Sequence, residues 1–322
     1  MKNDTLNDVL IKAMKAKIPK GVNLAHVLMN TLYIGKEAVY RRLRGEVPFT
    51  FVEASIISNS FGVSLDVISG NSSRNNVLFG LNMMDYSNPI NTYCANMEDF
   101  IRIVKVVKDD PDARWYIASN VIPHVFCAGY SNLSRFLLYK WMYQHEKINS
   151  MFSFSRLVFN EKLKDILKRY LDTCKDIAHS TFILDDAVIL FLLREIEHFM
   201  NINMLTKEEM LVLKKEMLSM ISYMEELATK GHYKNGNMAR IYISNVHFDS
   251  SYGYIETDNY KYSHIRLYSI NRISTTDQEV FKHQKEWVNS LKKYSTLISI
   301  SGEMQRIQFF QKQREYINAL GV

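Results

Sequence analysis

Lys36, Glu37, Tyr40, Arg41, Arg42 and Arg44 place four cations, one acid and one phenol within a single short stretch. A guanidinium donates two parallel hydrogen bonds to a guanine edge or a phosphate, and an ammonium pairs with a phosphate as a point charge. Val39 and Leu43, four residues apart, supply the apolar face that would seat a helix here. Lys36, Glu37, Tyr40 and Arg41 then fall at the start and on the outward face, where base edges could be read. Arg42 and Arg44 are better placed for phosphates, and Lys20 is a further phosphate candidate ahead of the preceding helix. The plainer alternative is a solvated basic helix.

The surrounding sequence argues for the first reading. Leu24, Val27, Leu28 and Leu32 recur at helical spacing, and Tyr33-Ile34-Gly35 interrupts the pattern. Gly45 stops the basic helix, and Pro48 keeps the chain extended. Thr50 and Glu53 form a capping box for a helix over residues 51–61. Gly62 ends that helix, and Ser64 caps a short one over 65–68. An amphipathic helix over about residues 4–17 precedes them all, with Leu6, Val9, Leu10, Ala13 and Met14 inward.

Five short helices, the second and third joined by a tight turn, resemble the phage-repressor-like (xenobiotic-response-type) helix-turn-helix domains. The residues that carry the resemblance are Leu24-Ala25, Ile34, Val39, the YRRLRG run from Tyr40 to Gly45, and Phe61 to Asp66. It covers about a fifth of the chain, and it implies a DNA-binding head that reads the major groove with its third helix. The stretch from Ala25 to Ile34 is about four residues longer than the usual motif. That is close to one helical turn, so the helix or the turn there is expected to be extended.

A chain of 322 residues, 47% apolar and 23% charged, has the composition of an ordinary globular protein of two domains. The net charge is +6. Positive charge is densest in the first seventy residues, as suits a head that meets nucleic acid. Cys94, Cys127 and Cys174 are odd in number and lack C-x-x-C spacing, which indicates free thiols in a reducing cytoplasm. No signal peptide is expected, and the apolar run Ala187–Leu193 is too short to span a bilayer. That run reads as part of a buried helix over residues 185–201.

The polar stretch 71–76 begins a linker expected over 71–90. Beyond it, helical periodicity dominates through 97–108, 133–146, 156–178 and 207–230. Residues 239–247, 252–257 and 263–271 alternate, and read as a small antiparallel sheet of two or three strands. Helices resume over 276–291 and 302–320.

Signals for catalysis are weak. Glu195 and His198 make one E-x-x-H pair without the second copy that a carboxylate-bridged metal site needs, and a solvated i, i+3 contact explains them. There is no phosphate-cradling loop, zinc-ligand spacing or nucleophile elbow. Gln305, Arg306, Gln308, Gln311, Gln313 and Arg314 crowd the last helix, which either docks on the core or presents a polar-lined ligand pocket or dimer face. The fold expected is mainly α: a five-helix lambda-repressor-like bundle over 1–70, and a larger helical domain with a small antiparallel sheet over 91–322. The function expected is a non-enzymatic, cytoplasmic, sequence-specific transcription regulator. It would bind double-stranded DNA as a homodimer, without cofactor, metal or membrane. The C-terminal domain would sense a small-molecule or protein effector, or dimerise. A protein-interaction module with a similar bundle, or an enzyme in the C-terminal body, are the alternatives.

Overall fold

A computed structural model of the protein describes residues 5–18, 23–69, 77, 79–81, 88–144, 153–267 and 269–321. The chain divides into two compact units, Met1–Val77 and Leu78–Val322. Lys20 and most of the expected linker lie outside the described residues.

The first unit is helical: α1 (Leu6–Lys17), α2 (Leu24–Leu32), α3 (Lys36–Leu43), α4 (Phe51–Phe61) and α5 (Leu65–Ile68). Capping residues set its boundaries. Thr5 with Asp8 and Thr50 with Glu53 both close reciprocal capping boxes, and Asn23 accepts from Ala25 N–H. Gly62 ends α4 at φ 62°, a left-handed position that costs glycine nothing. Met14, Leu28, Val39 and Ile57 are fully buried in a core that α1, α2, α3 and α4 share. Leu6, expected inward on α1, is exposed, and Ile11 is buried instead.

The second unit is built on a sheet. In chain order it contains β1 (Gly80–Leu81), α6 (Pro89–Val107), β2 (Arg114–Ser119), α7 (His124–Cys127), α8 (Ser131–Tyr143), α9 (Glu161–Lys175), β3 (His179–Asp185), α10 (Leu190–Asn201) and α11 (Lys207–Lys230). Then come β4 (Met238–Ser244), β5 (Tyr252–Glu256), β6 (Lys261–Leu267), β7 (Asn271–Thr275), α12 (Gln278–Lys293), β8 (Ser295–Leu297) and α13 (Glu303–Ala319). The sheet runs β1-β7-β6-β5-β2-β3-β4-β8.

This corrects the small antiparallel sheet expected from the sequence. The sheet is mixed, with β2, β3 and β4 parallel and β5 antiparallel to β2. Helical crossovers α7–α9 and α10–α11 carry the chain between the parallel strands, as parallel pairing requires. Side chains alternate across it. Trp115, Phe182 and Ile241 face the large core with α6, α8, α9 and α11, while Ile183, Tyr242 and Tyr254 pack on Phe281 and Val288 of α12. Both faces are thus covered, which is why the central strands hide in apolar runs.

The last helix docks on the core. Arg306 donates to Ile298 O at 3.0 Å and Gln313 to Asp186 O at 3.0 Å, with both side chains buried. Glu195 is held by Lys140, whose Nζ lies 2.8 Å from each carboxylate oxygen, and His198 is exposed. Cys94, Cys127 and Cys174 are buried and free. Among the described residues, no helix is long and apolar enough to cross a membrane.

Candidate nucleic-acid interface

Helix α3 is short, and its sequence fixes which side it turns outward. At 100° per residue, Val39 and Leu43 share one side, and Glu37, Arg41 and Arg44 fall on the other. The packing agrees: Val39 is fully buried and Leu43 packs on the core, while Lys36, Glu37, Arg41 and Arg44 are exposed. Gly35 precedes α3 without a side-chain cap, so backbone N–H groups of the first turn are left for other acceptors. Lys36 opens that turn.

The six α3 candidates do not share one fate. Tyr40 is half-buried, with its ring packed against the core. Arg42 is committed: its guanidinium meets Glu53 of α4 at 2.7 and 2.9 Å and donates to Ala38 O at 3.1 Å. Its side chain is 15% exposed and that of Glu53 14%. The phosphate role expected of Arg42 from sequence therefore gives way to a strut between α3 and α4. Glu53 does double duty, because the same carboxylate accepts Thr50 N–H at 2.8 Å and closes the capping box. Burial alone would raise the Glu53 carboxyl, but the hydrogen bonds from Arg42 and Thr50 together outweigh it and hold it below its ordinary value.

Arg44 and Arg41 are held only loosely. Arg44 pairs with Glu46 at 2.6 Å and Glu37 at 3.1 Å, and Arg41 approaches Glu46 at 3.6 Å. Exposed pairs of this kind hold only weakly against solvent, so a phosphate or a base edge can displace the carboxylates. Lys36, Arg41 and Arg44 are thus the cations of α3 free to meet a polyanion.

One residue escaped the sequence reading. Tyr33 ends α2 at φ 53° and ψ 38°, a left-handed conformation, with its side chain 92% exposed. A bulky residue rarely holds that conformation, which costs about 1–2 kcal/mol relative to glycine. The chain keeps an exposed aromatic there, beside the first turn of α3. The only hint in the sequence was an aromatic where glycine or asparagine would make the turn more easily.

No protein-family model, curated protein or solved structure matches the chain.

Proposed function

We propose that the protein is a sequence-specific DNA-binding transcription regulator. Its first unit binds double-stranded DNA through α3, and its second unit senses a signal or holds two copies together. The observation that carries this reading is the exposed Lys36, Arg41 and Arg44 on a helix anchored by a fully buried Val39. A basic outer face on a short, seated helix is what entry into a major groove requires. Purified protein used to select fragments from a genomic pool tests the reading and yields the operator together. Recovery of no enriched fragment would defeat it.

The three free cations set the salt dependence. At a slope near −0.9 per phosphate neutralised, log K should fall with log[salt] at about −3 per head. Arg44→Ala should make that slope shallower by about one unit while weakening all sequences alike. Arg41→Ala should instead relax preference at one base position, by about 1–3 kcal/mol. Arg42→Ala acts on the fold and should destabilise the first unit by about 1.5–3 kcal/mol, the worth of a charged hydrogen bond left unmade. Competition binding across a set of operator variants, with thermal melts beside it, separates these outcomes. The same uniform loss for Arg41→Ala and Arg44→Ala would refute the assignment of the outward face.

Tyr33 offers a check with two signs. Tyr33→Gly should raise the stability of the first unit by about 1 kcal/mol, because glycine holds the left-handed turn without strain. Affinity for DNA should fall about threefold to tenfold, the worth of one hydrogen bond to the backbone. A stabilised variant with undiminished affinity would show that Tyr33 does not touch DNA.

A second reading rests on α4. Phe51 and Val52 are exposed on its first turn, 83% and 67% respectively, next to the Arg42–Glu53 strut. Apolar side chains this open suit a protein partner or a second copy of the head. Fragment selection that fails, alongside loss of self-association in Phe51→Ser, would favour that reading.

A further inference from the structure

The carboxyl ends of parallel strands are where α/β sheets leave room for ligands. The second unit has a cavity of about 120 Å³ at that end of β2, reached by Ser119 of β2, His124 of α7 and Ser251 ahead of β5. Its walls are aromatic and apolar, with Phe100, Trp115, Tyr170 and Leu137 among them. A polar pocket of about 370 Å³ adjoins it and shares Ser251, Arg266 and Ser269. Arg266 therefore stands where the two meet.

The charge inside is one-sided. Arg266 and Arg272 line the inner cavity, and among the described residues no carboxylate does. Arg272 is already neutralised by Asp99 at 2.5 Å, and it also donates to Tyr262 Oη at 3.0 Å. Arg266 has no such partner: its Nε donates to Ser269 O, and among the described residues no acid lies within ion-pair distance. Glu195, which lines the outer pocket beside it and acts on its charge, is engaged by Lys140. Asp249, at the outer pocket, is exposed. Burial pushes the Arg266 guanidinium below its ordinary value, although the residue is half-buried and borders the outer pocket.

Donors without partners accompany it. Trp115 is 2% exposed, lines the cavity, and its Nε1 finds no acceptor among the described residues. His124 Nε2 lies 2.6 Å from Tyr93 Oη. When that phenol donates, the imidazole proton sits on Nδ1, which is buried and lacks a partner among the described residues. His264 lines the same cavity, its ring folded over Gly253 where any Cβ would come within 2.3 Å of it.

We propose that this cavity binds a small monocarboxylate with a planar apolar body, about the size of benzoate, its carboxylate on the Arg266 guanidinium. A guanidinium meets a carboxylate with two parallel hydrogen bonds, and Trp115 Nε1–H is a further unpaired donor in the wall of the same cavity. At about 120 Å³ the inner cavity is of the order of the 150 Å³ that takes benzene, so the ring would occupy it while the carboxylate stands at Arg266, where the polar pocket opens. Inorganic phosphate satisfies the donors but leaves the aromatic walls uncovered, so the body of the ligand decides between the two. That the site is the effector site rests on the DNA-binding reading. The binding itself does not, and it is measured without DNA so that either can fail alone.

Calorimetry on the full chain, with benzoate, benzamide and inorganic phosphate as probes, is the test. Benzoate should bind, and benzamide, which keeps the ring and loses the charge, should bind at least tenfold more weakly. Arg266→Gln should lower benzoate affinity at least thirtyfold and also raise the melting temperature of the free protein, since it removes a desolvated cation. A merely structural arginine would lower that temperature when replaced. Arg266→Lys keeps the charge without the two-pronged geometry and should fall between wild type and Arg266→Gln. Binding of phosphate in place of benzoate overturns the carboxylate assignment. Equal affinity for benzoate and benzamide, or binding by none of the three probes, overturns the site.

Discussion

Lowering the pH from 7 to 5 is expected to cost the second unit about 3 kcal/mol, through two histidines that fold without their protons. Burial first, and Arg266 second, pushes His124 down to about 3. Burial first, and Arg272 second, does the same to His264. Both rings sit among aromatics: His124 against Tyr93 and Tyr170, and His264 against Phe100 and Tyr262. In the unfolded chain each titrates near 6.5. Above that value neither state is charged and the folded unit keeps its full stability. Below it only the unfolded chain takes up protons, so stability falls as pH falls, and continues to fall until the folded value is reached. Each group contributes about 1.36 kcal/mol per pH unit, which for two groups over the window from 6.5 to 5 gives about 4 kcal/mol. Both side chains keep some accessible surface, which reduces this to about 3 kcal/mol.

Denaturant unfolding at pH 7, 6 and 5 reads the effect directly, and His264→Gln should remove about half of the slope. A pH profile unchanged by that substitution would mean that His264 is charged in the fold. The first unit answers to a lower window. Its Glu53 is held below the ordinary carboxylate value, so the stability it lends is complete above about pH 4.3 and is lost only as pH falls through the folded value. The two units should therefore lose stability in separate acid ranges.

Legibility of the sequence followed the locality of the signals. The capping box at Thr50–Glu53 was readable because it depends on residues three apart, and it is formed. The outward face of α3 was readable in part for the same reason: Lys36, Glu37 and Arg41 are exposed, whereas Tyr40, expected there too, packs on the core. Arg42 was not: its partner Glu53 is eleven residues away on another helix, and nothing in the spacing separates a phosphate ligand from a strut. The parallel strands β2 and β3 were the largest omission. In β3 the run Phe182-Ile183-Leu184 is buried on both faces, so it lacks alternation and merges with the apolar start of α10. Strands β5 and β6 were found because turn residues punctuate them. The cavity was beyond reach, since Trp115, His124 and Arg266 come from three separated segments.

Cutting the chain after Val77 is expected to leave a folded head that binds its operator at least a hundredfold more weakly than the full protein. The head should fold because its core is its own, with Met14, Leu28, Val39 and Ile57 fully buried inside the first unit. It should bind weakly because α3, at eight residues, is roughly 12 Å long and reaches only a few base pairs. Specificity over a genome then needs two heads on a palindrome, with half-sites about 34–36 Å apart. Joining two such heads makes the second contact intramolecular, a gain of about 10²–10⁴ in affinity. Candidates for the contact that joins them lie on α12 and α13 of the second unit. Leu291, Phe309 and Phe310 are spent in the core, which leaves Trp287 of α12 and Ile307 of α13 exposed in the second unit. Sedimentation of both proteins with a palindromic operator decides the matter: the full chain should settle as a dimer on DNA and the head as a monomer. A head that pairs and binds as tightly as the full chain would move the contact to Phe51 and Val52 of α4, and would free the second unit to act on its ligand alone.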